Sequence, residues 1–157
     1  MQSYVALLRG INVGGNTLIK MEELRDCIEK AGFKDVKTYI NSGNIIFKSS
    51  EKDKVKLAKK IEKAITASFQ HKVPAVVLSK SDLKRIIESA PKGWGEDPGW
   101  KYNYLFLLPT YDLNEAVKSI GELKPEIEFL HTSEGVIYQS ILFEKFSRVN
   151  IGSILFS

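Results

Sequence analysis

Cysteine, histidine and long apolar runs are what this 157-residue chain has least of. A single cysteine, Cys27, rules out an internal disulfide and fits a reducing compartment. The two histidines, His71 and His131, have no carboxylate or thiol at ligand spacing, so no metal centre is expected. No apolar run approaches the roughly 20 residues that a bilayer-spanning helix needs. The N-terminus enters a strand pattern directly, without a basic segment, apolar core and small-residue cleavage site in succession. The expected compartment is the cytoplasm, with no membrane partner. Charge of one sign is also scarce: 23 basic residues against 19 acidic leave a net charge of +4. That excess is scattered along helices, whereas nucleic-acid binders concentrate it on one face, so nucleic acid is not an expected partner.

What is present is an alternation of strand and helix patterns. Apolar residues make up 43% of the chain and charged ones 27%, which places it among globular proteins, as one ordinary domain or two small ones. Residues 4–9 are apolar on both alternating sets, Tyr4, Ala6 and Leu8 against Val5 and Leu7, which predicts a central strand covered on both faces. A helical stripe of Met21, Leu24, Cys27, Ile28 and Ala31 follows, ended by Gly32, and makes Cys27 a core residue rather than a nucleophile. Residues 36–40 and 44–48 read as strands joined by the turn Asn41-Ser42-Gly43. A helix over 53–69, with Ser50 as candidate cap, and a strand over 73–79 complete a βαββαβ unit, the ferredoxin-like order.

The remainder begins with a short helix. Ser81 is its candidate cap, Leu83, Ile86, Ile87 and Ala90 its stripe, and Pro91 its stop. Residues 91–100 are a loop carrying Trp94 and Trp100, which either pin it to the body or form an aromatic lid. A strand over 101–108, a helix over 112–120 ended by Gly121, and a hairpin of 126–131 with 135–141 across Thr132-Ser133-Glu134 give βαββ. Residues 142–157 are left to supply a helix and a last strand, and are too few for both. The expected fold is α+β, two tandem ferredoxin-like halves with antiparallel sheets, 1–80 and 81–157, the second truncated. The missing strand would leave strand 101–108 as a sheet edge, to be covered by the tail, by the first half's sheet or by a second copy of the chain in a homo-oligomer.

No catalytic constellation is recognisable, and no enzyme activity is assigned. Gly10-x-x-x-x-Gly15 followed by Asn16-Thr17 approaches a phosphate loop but lacks its lysine. The glycines fall as G-x-x-x-G-G, which fails the dinucleotide fingerprint. No serine sits in a G-x-S-x-G elbow. The strand over 44–48 is aliphatic apart from Phe47, so it lacks the base-stacking aromatics of an RNA-recognition module.

Two stretches, Leu8-Arg9-Gly10-Ile11-Asn12-Val13-Gly14-Gly15 and Tyr39-Ile40-Asn41-Ser42-Gly43-Asn44, closely resemble the signatures of a bacterial family known only as domain-of-unknown-function family 1697. The resemblance runs from about residue 3 to about residue 155. It implies the tandem ferredoxin-like fold and brings no activity and no cofactor. Members of that family continue into a T-R-N-W-N-type segment, which this chain lacks.

The candidate site follows from topology. In the sheet order 4-1-3-2, strands one and three are antiparallel neighbours, so Arg9-Gly10 should lie beside Gly43-Asn44. One edge would then gather the Arg9 guanidinium, the amides of Asn12, Asn41 and Asn44, the Ser42 hydroxyl, and the N–H groups of Gly14 and Gly15. Donors outnumber acceptors there and no carboxylate is included, which suits a small phosphate- or carboxylate-bearing ligand. The alternatives are that the glycines and asparagines serve only their own turns, and that the chain is a protein–protein interaction module.

Overall fold

The structure, a computed structural model, describes residues 1–14 and 17–148, with the backbone alone for 146–148. The chain divides into two compact units, Met1–Lys84 and Arg85–Ser157.

In the first unit β1 (Gln2–Leu8), α1 (Met21–Lys30), β2 (Lys34–Tyr39), β3 (Asn44–Ser49), α2 (Lys54–Phe69) and β4 (Ala75–Ser79) follow one another as βαββαβ. The sheet is antiparallel throughout, in the order β2-β3-β1-β4. Register puts Tyr4 opposite Phe47 and Ala6 opposite both Ile45 and Val77, so these side chains share one face. Both helices close that face with Leu24, Ile28, Leu57, Ile61 and Ile65, all fully buried. Burial of this kind stabilises by about 1.5–3 kcal/mol per large side chain. Phe47 anchors the centre between the rings of Tyr4 and Phe33, at centroid distances of 5.7 and 4.8 Å. The expected cover of β1 on both faces is complete only on the helix side. Val5 and Leu7 on the other face are half-buried and Ile46 beside them is 44% exposed, because both helices lie on one side.

Two helix caps differ from the sequence reading. Asp53 rather than Ser50 caps α2, its carboxylate accepting from the N–H groups of Val55 and Lys56 at 2.9 and 3.1 Å. Ser79 rather than Ser81 caps α3 (Lys80–Glu88). The Asp82 N–H donates to Ser79 Oγ at 3.1 Å and the Ser79 N–H to Asp82 Oδ2 at 2.8 Å, a reciprocal capping box. The same carboxylate oxygen accepts from the Ser79 hydroxyl at 2.7 Å and from Lys54 Nζ at 2.8 Å. Burial opposes the Asp82 charge, but these hydrogen bonds and the Lys54 charge outweigh it and hold the carboxyl down at about 2. Ile87, assigned to the apolar stripe of α3, is 66% exposed, while Ile86 is buried.

The second unit contains β5 (Trp100–Phe106), α4 (Leu113–Ile120), β6 (Glu128–Ser133), β7 (Val136–Leu142) and a 3-10 helix, Phe143–Arg148. Its antiparallel sheet runs β5-β7-β6, so β5 is an edge among the described residues. The turn between β6 and β7 is the two residues Glu134-Gly135 rather than the three expected, since Ser133 pairs with Val136. Gly135 takes φ +75 there, which glycine adopts without strain. One face of β7 buries Ile137, Gln139 and Ile141 completely. Gln139 is satisfied there, donating to Glu128 Oε1 at 2.7 Å and accepting from Asn103 Nδ2 at 3.1 Å. Of the tail 142–157, judged too short for both a helix and a last strand, residues 149–157 lie outside the described residues. No helix among the described residues is long and apolar enough to cross a membrane.

Candidate functional site

β1 ends where β3 begins, and the glycine-bearing loop therefore leaves the sheet beside the β2–β3 turn. The Leu8 N–H donates to the Gly43 carbonyl at 3.1 Å, while the Arg9 N–H turns to Pro74 at 3.0 Å. Gly43 is buried at φ +83, and a Cβ at this position would sit 2.5 Å from Cδ1 of the fully buried Ile11. Only glycine fits that crossing without displacing the core.

Asn12 is the residue that joins the two stretches. Its Nδ2 donates to the Ile19 carbonyl at 2.9 Å and to the Asn41 carbonyl at 2.8 Å, and its Oδ1 accepts the Ile19 N–H at 2.8 Å. The Asn12 N–H closes the loop onto Thr17 at 3.1 Å. The backbone at Asn12 has φ +54, a left-handed conformation that asparagine adopts more readily than most residues. Asn44 acts within the turn, its Nδ2 donating to the Tyr39 carbonyl and to Ser42 Oγ, both at 3.2 Å.

Of the nine residues proposed from sequence, eight fall among the described residues, and Gly15 lies outside them. Arg9 is half-buried at the end of β1, whereas Gly10, Gly14, Asn41 and Ser42 are exposed. The amide donors of Asn12 and Asn44 are engaged within the edge itself. The Ser42 oxygen accepts from Asn44 and keeps its own hydroxyl hydrogen to offer.

Elsewhere the conventional reactive groups are quiet. Cys27 is buried, its thiol directed at Ser68 Oγ and the Ala64 carbonyl at 3.3 and 3.5 Å. His71 and His131 are exposed, and among the described residues no group of three or more His, Cys, Asp or Glu is placed to hold a metal ion.

In the second unit, where the sequence left open whether the two tryptophans pin their loop or form a lid, a hollow of about 360 Å³ opens between loop 91–99 and the sheet. Trp94 and Trp100 both line it. Trp94 is pinned edge-on against Tyr102, Tyr104 and Tyr138 at 4.9, 5.6 and 5.4 Å, and Trp100 meets Phe129 at 5.4 Å. The signal for this face was the period-two run Trp100-x-Tyr102-x-Tyr104-x-Phe106, which sets four aromatic side chains on one side of β5.

These features define an α+β protein with two antiparallel sheets and four α-helices among the described residues. The model of the family of proteins of unknown function, DUF1697, matches residues 1–138, and the chain belongs to that family. It is similar to the solved structure of the conserved bacterial protein SP0830 from Streptococcus pneumoniae. The two share 29% sequence identity with a TM-score of 0.82, over 94% of this chain and 82% of that one. No curated protein matches the sequence.

Proposed function

We propose that this protein binds a small anion, a phosphate or carboxylate group, at the edge formed by the LRGINVGG loop and the NSGN turn. One observation carries the reading: the two stretches through which the chain resembles its family, about thirty residues apart, meet through the Leu8–Gly43 and Asn12–Asn41 hydrogen bonds. In this reading Arg9 supplies the positive charge, and the Ser42 hydroxyl and the loop N–H groups supply further donors. Asn12 and Asn44 are positioning residues, since their amides hold loop and turn in place. The βαββαβ order and β2-β3-β1-β4 sheet of the first unit support a ferredoxin-like half, and the βαββ of the second supports a shortened copy.

The test is the melting temperature in increasing phosphate, measured on the wild type and on Arg9→Ala. A ligand of the native state raises the transition by mass action. The expected result is a saturable rise in the wild type that Arg9→Ala abolishes while keeping its fold. No rise, or an equal rise in the variant, overturns the proposal.

A second reading, an interaction module, is favoured by β5 pairing on one side only among the described residues. An open strand edge is a template for another strand, and the partner proposed is a second copy of this chain. Light scattering at micromolar concentration should give a dimer; a clean monomer refutes this reading.

A further inference from the structure

The hollow of the second unit is built from different residues than the loop–turn edge. Sheet register explains why it forms. Ser140 on β7 lies directly between Tyr102 on β5 and Phe129 on β6, so a small side chain separates two large rings. The floor sinks at Ser140, and the rings on either side become walls. Trp94 closes the hollow from the loop, and its contacts with three tyrosines fix it there before any ligand arrives. Asp97 sets the loop's far end, its Oδ1 accepting the Gly99 N–H at 2.8 Å. The pocket is therefore preformed, and its volume lies in the range of small-molecule sites.

The lining restricts the ligand's chemistry. Its walls are largely aromatic, Trp94, Trp100, Tyr102, Phe129 and Tyr138, and aromatic walls reward a flat ring. A free sugar brings no aromatic ring to stack, and the polar side chains that could orient its hydroxyls are few. Ser140 sits at the floor, His131 beside Tyr138, and Lys92 at the loop, with Asp97 already engaged. One or two hydrogen bonds to ring heteroatoms, with a cation near the rim, match a heteroaromatic base that carries an anionic substituent. We infer that the aromatic hollow of the second unit binds a nucleobase-bearing small molecule, a nucleoside or its monophosphate, by stacking among Trp94, Trp100 and Phe129, with Lys92 facing the phosphate.

The chain supplies its own probe, because its two tryptophans both line this hollow. Intrinsic tryptophan fluorescence, corrected for ligand absorbance against free tryptophan, is titrated with the four common ribonucleosides, their 5′-monophosphates, ribose 5-phosphate and glucose. The expected result is a saturable change with at least one nucleoside and its monophosphate, and none with ribose 5-phosphate or glucose. Phe129 is 53% exposed, so Phe129→Ala removes a wall without opening the core. It should weaken both ligands about tenfold or more, the loss of one base–aromatic contact, with an unchanged circular dichroism spectrum. Lys92→Ala should weaken the monophosphate and leave the nucleoside unaffected. The uncharged nucleoside keeps this test separate from phosphate binding at the loop–turn edge. The inference is overturned if no nucleoside or nucleotide gives a saturable change, if sugar or ribose phosphate alone does, or if Phe129→Ala binds as tightly as the wild type.

Discussion

Replacing Asn12 with alanine removes three hydrogen bonds at once, two donated to the carbonyls of Ile19 and Asn41 and one accepted from the Ile19 N–H. Each contributes about 1 kcal/mol net. Alanine at φ +54 adds roughly 1 kcal/mol of backbone strain that asparagine partly escapes. The expected loss is about 3–4 kcal/mol, read as a lower urea midpoint with an unchanged slope. Asn12→Asp sharpens the test, being nearly isosteric. It keeps an acceptor for Ile19 but turns a carboxylate oxygen towards two carbonyls, so it should cost at least as much as alanine. If both variants lose less than about 1 kcal/mol, Asn12 does not tie the loop to the turn and the geometry of the edge has another source.

Gly43→Ala should destabilise by about 2–4 kcal/mol in the urea titration, combining left-handed strain with overpacking against buried Ile11; a loss under about 1 kcal/mol contradicts the crossing described. Asp82, held at about 2 against an ordinary 3.8, stabilises the fold by about 2 kcal/mol above roughly pH 4, and that contribution disappears as pH falls towards 2. The stability gap between wild type and Asp82→Asn should narrow over that interval, and a gap independent of pH would show that the Ser79–Asp82–Lys54 cluster does not stabilise through its charge.

The first unit was largely legible because its patterns are local. Alternating Tyr4, Ala6 and Leu8, the 3.6-residue stripe through Leu24 and Ile28, and the Asn41-Ser42-Gly43 turn each announce an element, and their order led to the sheet order. That order in turn brought two distant stretches to one edge. What sequence could not supply was how the donors at that edge are used. Whether Asn12 faces a ligand or the carbonyl of Asn41 depends on atoms thirty residues away. The caps were misplaced because Ser50, Asp53, Ser79 and Ser81 are all acceptable cap residues, and a shift of two or three positions is settled by helix packing. The tryptophan loop was left between two roles because the hollow depends on Trp94 returning over β5 and on small Ser140 falling between Tyr102 and Phe129, which is a matter of cross-strand register.

The proposed anion site lies where the loop meets the turn. An amide-resolved proton–nitrogen correlation spectrum titrated with inorganic phosphate addresses it residue by residue. Saturable shifts with one common affinity are expected for the amides of Gly10, Val13, Gly14, Ser42, Gly43 and Asn44 and for the Arg9 side chain, all lost in Arg9→Ala. Phosphate that leaves these signals unmoved, or moves only signals elsewhere in the chain, contradicts the proposal.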